Sequence, residues 1–116
     1  MIKVVGLIKR RSDISLEEFR RYWLEQHSKL ERASLSANRV QRIVVSFFEE
    51  SLKGVAPFDG MVELYYSSRE EMLRAWSGDH DEVMRNDEAN FCSPDFRVFF
   101  VADEVEIGRN IGVPGD

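Results

Sequence analysis

His27 is the residue of this sequence whose type and position best suit proton-transfer chemistry. It ends the stretch 15–27, in which Ser15 and Glu18 have the spacing of a capping box that starts a helix. His27 follows Trp23 by four residues, so it lies at the flank of the apolar stripe of that predicted helix. Imidazole titrates near neutral pH, so a His27 side chain that reaches a cavity can exchange a proton with a substrate. We predict a catalytic histidine; the alternative is a helix histidine bonded to a carbonyl or a carboxylate.

Three polar residues in the middle of the chain are candidates to assist His27. Asp59 precedes Gly60 at the start of a predicted strand, where it could orient the imidazole or act as a base; Asp-Gly is also common in turns. Tyr65 and Tyr66 point to opposite faces of the predicted sheet, so one is expected to line the cavity and the other a seam between subunits. We assign Asp59 and Tyr65 to the catalytic group and Tyr66 to the substrate wall. Core packing is the alternative for both tyrosines.

Large apolar side chains at helical spacing mark the inner sides of two predicted helices. Those of the first helix are Leu16, Phe19, Trp23 and Leu30, and those of the second are Met72, Leu73 and Trp76. Trp23, Trp76 and Phe91 are predicted to form the wall of a pocket for an aromatic substrate. Plain core packing is the alternative for all three.

No metal site, disulfide or cofactor is predicted. His80 lies between Asp79 and Asp81, but the side chains of adjacent residues do not converge on one ion, and the chain has only two histidines. Cys92 is the single cysteine, so no disulfide can form within one chain, and no basic neighbour would make it a thiolate. Any chemistry is therefore expected to proceed without a cofactor.

The elements that must position these residues alternate as strand, helix, strand, strand, helix, strand. A second capping box, at Ser68 and Glu71, starts the second helix, and Gly78 is expected to interrupt it. This order predicts a ferredoxin-like α+β unit, a four-stranded antiparallel sheet with both helices on one face. The predicted strands are 2–9, 39–49, 58–66 and 96–106, the first helix is 16–33, and Ser93-Pro94 is predicted to be a turn.

Composition and charge limit the possible functions. The 116 residues fit a single domain, and a hydrophobic content of 43% supplies a core. A net charge of −5 without any basic run argues against nucleic-acid binding. No apolar run is long enough to cross a bilayer, and the N-terminus lacks the layout of a secretory signal, so we expect a cytoplasmic protein with no membrane partner.

Apolar residues on both sides of the predicted strands indicate a homodimer. Val44, Phe48, Val98 and Phe100 can face one side, while Ile43, Val45, Phe47, Phe99 and Val101 face the other. Helices cover only one face of such a sheet, so the second face needs another cover, which two copies packing sheet to sheet would provide. The domain is predicted to span residues 1–107, and 108–116 to form a flexible C-terminal tail or arm.

Short motifs spread along most of the chain form a recognisable pattern. They are Leu7-Ile-Lys-Arg10, Ser15-Leu-Glu-Glu-Phe-Arg-Arg-Tyr-Trp23 with His27, Phe58-Asp-Gly60, Asp87-Glu88 with Phe91, and Val105. Together they resemble the EthD family of the dimeric α/β-barrel superfamily. The resemblance implies a homodimer whose two sheets close into a barrel, with a cavity between each sheet and its helices. It also implies places for Asp87 and Glu88 at the rim of the substrate pocket, the alternative being a solvated acidic helix end.

The resemblance implies several kinds of activity. Related barrels include 4-methylmuconolactone methylisomerases, cyclases and monooxygenases acting on polyketides, and proteins encoded beside ether-degrading oxygenases with no assigned reaction. Leu64 stands where the resemblance to the methylisomerases places a cysteine, so thiol chemistry is not expected there. Our main hypothesis is a cofactor-independent isomerase or cyclase acting through His27 on a small, hydrophobic, oxygenated or aromatic molecule. The alternatives are a non-catalytic ligand-binding or accessory protein of an oxygenase system and a cofactor-free monooxygenase.

Overall fold

Strands and helices follow one another in the predicted order. The computed structural model of the protein describes residues 1–112. The strands are β1 (Ile2–Arg10), β2 (Arg42–Phe47), β3 (Gly60–Tyr65) and β4 (Cys92–Asp103); the helices are α1 (Leu16–Tyr22), α2 (Ser28–Ala37), α3 (Arg69–Trp76) and α4 (Asp79–Glu88), and a π-helical segment (Trp23–His27) joins α1 to α2. The sheet has the order β2-β3-β1-β4, and all neighbouring strands are antiparallel. This is the arrangement of the ferredoxin-like α+β unit, so the predicted fold class is confirmed.

The register of the strands assigns alternate residues to two faces. The helix-covered face carries the buried residues Val4, Ile8, Val62 and Leu64 and the partly buried Ile43, Val45, Phe47 and Phe99. The opposite face, here called the open face, carries Val5, Leu7, Val44, Val98 and Phe100. The predicted division of apolar residues between the two faces is confirmed at the paired positions of β2 and β4.

The first helix begins at its predicted cap. The Glu18 N–H donates to Ser15 Oγ at 3.0 Å, and the Ser15 N–H donates to the Glu18 carboxylate at 3.4 Å, so the capping box is confirmed. Phe19 and Trp23 are buried as predicted. Leu16 is 54% exposed, because it faces the loop of residues 48–59 and not the sheet.

The π-helical segment changes which residues of α2 face inward. A residue eight positions after Trp23 would lie about 80° away from it around a regular α-helix. The wider turn accommodates one extra residue, which brings that position, Glu31, back to the inner side. Glu31 is accordingly buried, whereas Leu30, which the regular spacing places in the stripe, is only half-buried. The helix also runs on to Ala37, beyond the predicted end at residue 33.

Gly78 divides the second helical region, as predicted. α3 ends at Trp76, α4 begins at Asp79, and Gly78 between them is the N-cap of α4 with an extended backbone. Because α4 starts anew at this residue, its direction is independent of α3. This second start allows the end of α4 to reach the first helix.

The second predicted capping box is only half formed. The Glu71 N–H donates to Ser68 Oγ at 3.1 Å, but the Glu71 carboxylate accepts from Arg39 and Arg74. The nearby guanidinium groups therefore compete with the cap for this side chain. Leu73, predicted on the apolar side of the helix, is 58% exposed.

Ser93-Pro94 lies inside β4, so the predicted turn at this place is wrong. β4 begins at Cys92, which pairs with Arg10, and the register between β1 and β4 shifts between Ile8 and Arg10. β4 is an edge strand, so a proline without an N–H can remain in it at an irregular position without removing an essential ladder bond.

The chain leaves the sheet after Glu104, whose backbone N–H still donates to the Met1 carbonyl at 2.9 Å. Residues 104–112 form neither strand nor helix, and Ile107 and Ile111 are almost fully exposed. The predicted tail or arm at 108–116 begins in this segment, and its last residues, 113–116, lie outside the described residues. None of the helices between residues 1 and 112 has the length and apolar character needed to cross a membrane.

Candidate functional site

The imidazole of His27 is enclosed between the π-helical segment and α4. Its side chain is 3% exposed, and Nδ1 lies 2.8 Å from Asp87 Oδ2. An ionised carboxylate only accepts hydrogen bonds, so Nδ1 carries the hydrogen and Nε2 keeps a free lone pair. Burial lowers the pKa of His27, and the hydrogen bond and charge of Asp87 oppose part of that shift. At neutral pH the ring is therefore a neutral base.

Asp87, near the end of α4, is held by three donors. Besides His27, the Tyr22 hydroxyl donates to Asp87 Oδ1 at 2.8 Å, and Asn90 Nδ2 donates to the same oxygen at 3.0 Å. Burial alone would raise the pKa of Asp87, but the hydrogen bonds from these three side chains outweigh it and hold the pKa below its usual value. Asp87 is thus an anion fixed in place, and it fixes the tautomer and orientation of the His27 ring.

Aromatic rings shield the His27 imidazole from water, whereas the Asp87 side chain stays 19% exposed. The centroid of Phe91 lies 5.0 Å from that of His27, 5.5 Å from that of Trp23 and 5.1 Å from that of Tyr22. Phe91 and Trp23 are both buried. In such a low-dielectric environment the interaction between the imidazole and its carboxylate is stronger than it would be in water.

A small closed cavity adjoins His27. Its volume is about 10 Å³, which suffices for roughly one water molecule. It is lined by Ile8, Trp23, His27, Glu31, Val62, Leu64, Met84, Arg85, Glu88, Phe91 and Cys92. This space lies where the family resemblance implies a substrate cavity, and such a cavity stays a prediction. The space is far smaller than the sites that enclose small-molecule ligands, which measure about 300 Å³ or more.

Two buried carboxyl groups, those of Glu31 and Glu88, share the cavity with His27. Glu88 Oε2 lies 4.0 Å from His27 Nε2, and Trp23 Nε1 donates to both oxygens of Glu31 at 3.1 Å. Burial raises the pKa of Glu31 to about 7, against the Trp23 hydrogen bond and nearby positive charge. Burial also raises the pKa of Glu88 to about 7, against nearby positive charge. Two weak acids and a base that exchange protons near neutral pH are therefore grouped within one enclosed space.

Arg85 of α4 brings a positive charge to this cluster. Arg85 Nη1 is 2.9 Å from Glu88 Oε2, and the guanidinium carbon of Arg85 lies 4.8 Å from the ring centroid of Trp76. A second arginine, Arg97, places its Nη1 3.4 Å from Glu88 Oε1. These contacts are poorly aligned: within residues 1–112, Arg85 Nε and Nη1, Glu88 Oε1 and Trp76 Nε1 have no hydrogen-bond partner. The two arginines favour a charged Glu88, but without aligned hydrogen bonds burial is the larger influence, which supports the raised pKa. Buried polar atoms without partners are uncommon, and they point to a site for water or a polar ligand.

Four of the predicted site residues, Trp23, His27, Asp87 and Phe91, meet at this place. Asp87, predicted at the rim of the pocket, is bonded to His27 itself. The family resemblance pointed to Asp87 but not to this contact. The catalytic and substrate-binding roles of these residues stay predictions.

Asp59 is not bonded to His27, which corrects its predicted orienting role. Its carboxylate accepts the backbone N–H of Arg10 at 2.8 Å. The neighbouring Gly60 lets β3 pass close to the first helix, since an added Cβ would lie 3.3 Å from the indole of Trp23. The Asp-Gly pair thus has a structural use at the start of β3, and the orienting carboxylate comes from α4.

Tyr65 lies on the open face, on the opposite side of the sheet from His27. Its hydroxyl donates to Glu104 at 2.7 Å, and Lys3 Nζ lies 5.2 Å from its ring centroid. The bond to Glu104, with burial, raises the pKa of Tyr65. Within one subunit Tyr65 therefore does not share a site with His27, contrary to its assignment, because strand residues alternate and Tyr66 takes the inner position.

Tyr66 and Trp76 lie on the helix-covered face but do not line the His27 cavity. Tyr66 is fully buried, and burial raises its pKa. Trp76 is half-buried and contacts the guanidinium of Arg85. Both border the arginine end of the cluster, and their predicted role in substrate binding stays a prediction.

Two residues of the cluster, Glu31 and Arg85, were not predicted as site residues, and Glu88 was predicted only at the pocket rim together with Asp87. A regular helical spacing turns Glu31 away from Trp23, and only the π-helical turn brings the two together. Glu88 belongs to the Asp87-Glu88 motif, which was the available signal for it. Arg85 precedes Glu88 by three residues on α4, a spacing that places two helix residues side by side.

The fold and this cluster define a class of small α+β protein with a buried histidine, bonded to a carboxylate, between its sheet and its helices. Residues 11–95 match the model of the EthD domain. The chain belongs to the EthD family, so the resemblance found in the sequence is confirmed. No curated protein sequence matches the chain.

Solved structures with the same fold cover nearly the whole chain. An ethyl tert-butyl ether d (EthD) family protein from Bacillus halodurans is 21% identical, with a TM-score of 0.74 over 90% of this chain and 99% of that chain. A dimeric protein of unknown function and ferredoxin-like fold from Bacteroides fragilis is 12% identical, with a TM-score of 0.65 over 89% of this chain and 95% of that chain. A Deinococcus radiodurans protein described provisionally as an antibiotic biosynthesis monooxygenase is 10% identical, with a TM-score of 0.65 over 97% of this chain and 100% of that chain. At these identities the likeness shows the fold alone.

Proposed function

We propose that the protein is an enzyme that moves a proton on a small, hydrophobic, oxygenated molecule, with His27 as the general base. The observation that carries this proposal is the enclosed His27–Asp87 pair, in which Nδ1 is 2.8 Å from the carboxylate and Nε2 keeps its lone pair. A carboxylate that accepts a hydrogen bond from one nitrogen of a buried imidazole leaves the other nitrogen in the form that accepts a proton. Isomerisation and cyclisation are the reactions of this kind that need no redox cofactor.

Glu88 is the acid that complements this base. Its carboxyl lies 4.0 Å from His27 Nε2, and burial reverses the usual order of the two pKa values, because it raises that of Glu88 to about 7 and lowers that of His27. In the proposed step His27 Nε2 takes a proton from the substrate, and the electron pair left behind moves into the substrate. Glu88 then gives its proton to the substrate oxygen. The His27 imidazolium then delivers its proton to a different atom of the substrate, and the substrate hydroxyl returns its proton to Glu88, which completes an isomerisation and restores both groups; the positive charge of Arg85 stabilises the negative charge that develops.

The substrate wall in this proposal consists of Trp23 and Phe91, with Tyr66 and Trp76 toward Arg85. Asp59 and Tyr65, predicted as catalytic, are left with structural contacts within one subunit. Neither a cofactor nor a metal ion is needed for the proposed step, and the cytoplasmic location expected from the sequence stays a prediction.

A homodimer formed through the open face is part of the proposal. The open face carries apolar residues that no helix covers, and Phe100 among them is 56% exposed. The Bacteroides fragilis structure of the same fold is described as dimeric. We expect Phe100→Asp to convert the dimer into a monomer in sedimentation experiments, and Val83→Asp, at a similarly exposed apolar residue of α4, to leave it dimeric.

One observation favours a second candidate, a ligand-binding or accessory protein without catalysis. The cavity beside His27 holds roughly one water molecule, so a substrate must first displace side chains. A cofactor-free monooxygenase is suggested only by the description of the Deinococcus radiodurans structure.

Incubation of the protein with lactones, diketones and polyketide-like phenols in D₂O tests the main proposal. Turnover or deuterium incorporation is expected for at least one class, and His27→Gln should reduce its rate by about 10²–10⁴-fold. The matched control is His80→Gln, because the ring of His80 bonds the Leu30 carbonyl away from the cavity. Turnover that survives His27→Gln would contradict the role of His27 as the base. Saturable binding with no reaction would favour the accessory protein.

A further inference from the structure

An open groove runs between α2 and β2 on the outer side of the first helix. Its volume is about 360 Å³, within the usual range for small-molecule sites. Its apolar walls are formed by Leu24 and Leu35 from the helix side and by Ile43 and Val45 from the strand side, and polar residues, among them Arg32 and Arg42, line the remainder. Leu24 and Leu35 are 45% and 46% exposed, so apolar surface is available at its rim.

The groove and the His27 cavity meet at Glu31. Within residues 1–112, Glu31 is the one residue that lines both spaces. Its carboxylate accepts the Trp23 indole N–H at 3.1 Å, and Trp23 also lines the cavity. The Glu31–Trp23 hydrogen bond therefore stands between the groove and the imidazole.

We propose that this groove binds a small, largely apolar molecule that carries a hydroxyl group, and that the Glu31–Trp23 hydrogen bond opens to admit that hydroxyl toward His27. The inference rests on the proposed function, since it supplies the route that the closed cavity requires. It names both the entrance and the class of substrate.

The requirement for a hydroxyl follows from the two groups that must part. When the hydrogen bond opens, the Trp23 N–H needs an acceptor and the Glu31 carboxylate needs a donor. A hydroxyl placed between them serves both, because it accepts from the indole and donates to the carboxylate. A hydrocarbon of the same shape serves neither and would leave two buried polar groups unpaired.

Binding of 4-ethylphenol, compared with ethylbenzene, tests this proposal without any need for turnover. The readout is the ¹H–¹⁵N signal of the Trp23 indole, which Trp76→Phe identifies because the chain has two tryptophans. We expect 4-ethylphenol to shift that signal saturably and ethylbenzene to leave it unmoved. Glu31→Leu should abolish the difference between the two compounds.

A matched pair of leucine variants tests the groove itself. Leu35→Ser removes an apolar wall and should raise the Kd for 4-ethylphenol about tenfold. Leu73→Ser, at an exposed leucine of α3 outside the groove, should leave the Kd within about twofold. Both positions are on the surface, so both variants are expected to fold even if Glu31→Leu does not.

The proposal is overturned if 4-ethylphenol gives no saturable shift, if ethylbenzene shifts the signal equally, or if Leu73→Ser weakens binding as much as Leu35→Ser. Its failure is distinguishable from failure of the proposed function. Binding of the phenol with no turnover of any compound would refute catalysis and retain the groove. Turnover dependent on His27, with binding unaffected by Leu35→Ser, would retain catalysis and refute the groove.

Discussion

The two faces of the sheet each carry a cluster of ionisable side chains, and the clusters differ in how their charges are satisfied. On the open face Lys3 is paired with both Glu63 and Glu104, and the Tyr65 hydroxyl donates to Glu104 at 2.7 Å. On the helix-covered face Glu31 and Glu88 are buried beside His27, and several polar atoms around Glu88 lack aligned partners.

The difference appears in the direction of the pKa shifts. The hydrogen bond to Glu63 is the main cause that raises the pKa of Lys3, and hydrogen bonds from Tyr65 and Lys3 lower that of Glu104. Both shifts favour the charged form of the group, so Lys3 stays protonated and Glu104 stays ionised near neutral pH. Burial shifts Glu31, Glu88 and His27 toward their neutral forms. Protons that can be exchanged near neutral pH are therefore concentrated on the helix-covered face, where we place the chemistry.

Truncation of one phenylalanine on each face should give the largest difference between them. Phe91 is fully buried among aromatic rings, so Phe91→Ala should lower the free energy of unfolding by about 3–5 kcal/mol. Phe100 is 56% exposed in one subunit. Phe100→Ala should therefore lower the free energy of unfolding by less than about 1 kcal/mol when the protein is monomeric. Urea denaturation at low protein concentration makes the comparison. Equal losses would mean that the helix-covered face is not the main core.

Removal of one carboxylate from each face should change stability in opposite directions at alkaline pH. Burial raises the pKa of Glu31 and of Glu88 to about 7 in the folded state. A carboxyl group with a raised folded-state pKa stabilises the protein fully at a pH below its unfolded-state pKa, and this contribution is lost as the pH rises through about 7. The free energy of unfolding of the wild type should therefore fall between about pH 5 and 8. Glu31→Gln should therefore be about 2–3 kcal/mol more stable than wild type at pH 8 and similar to it at pH 5.

The matched variant on the open face is Glu63→Gln. It removes a partner of Lys3 and should cost about 1 kcal/mol at both pH values. Chemical denaturation across the pH range measures both variants. A loss of stability for Glu31→Gln at pH 8 would contradict the burial of an ionisable carboxyl at that position.

Asp87→Asn should have a small effect on stability and a specific effect on His27. The amide keeps the shape but loses the charge, so the pKa of His27 should fall below its wild-type value while stability decreases by about 1 kcal/mol. The pKa of Asp87 is lowered in the folded state, so its carboxylate stabilises the folded protein at a pH above its unfolded-state pKa, and this contribution is lost in acid. The difference in the free energy of unfolding between Asp87→Asn and the wild type should therefore become smaller in acid. Titration of the His27 ring by NMR checks this. Glu104→Gln on the open face is the control and should leave that titration unchanged.

Much of the fold was predictable because it is encoded by local patterns. The capping box at Ser15, the interruption at Gly78 and the alternation of apolar residues in β2 and β4 each concern residues close together in sequence. The failures were places where a local signal admits two structures. Pro94 signals a turn, but it also fits an irregular position in an edge strand.

The candidate site was predicted only in part, for the same reason. The sequence pointed to His27 by residue type and to Trp23 and Phe91 by their aromatic character. It could not show that Asp87 holds the imidazole, because the two residues are 60 positions apart and meet only when α4 packs against the first helix. It placed Asp59 and Tyr65 with His27, although the strand register sends them elsewhere.

The sequence by itself determined the order of elements, the two apolar faces of the sheet and the membership of the EthD family, since periodicity, caps and motifs are written in consecutive residues. Tertiary structure alone decided which carboxyl groups lie beside His27. The π-helical turn rotates Glu31 inward, and the restart of the helix after Gly78 brings Asp87 and Glu88 to the ring. Burial then shifts the pKa values of those groups, and burial depends on what packs around a side chain and not on its neighbours in sequence.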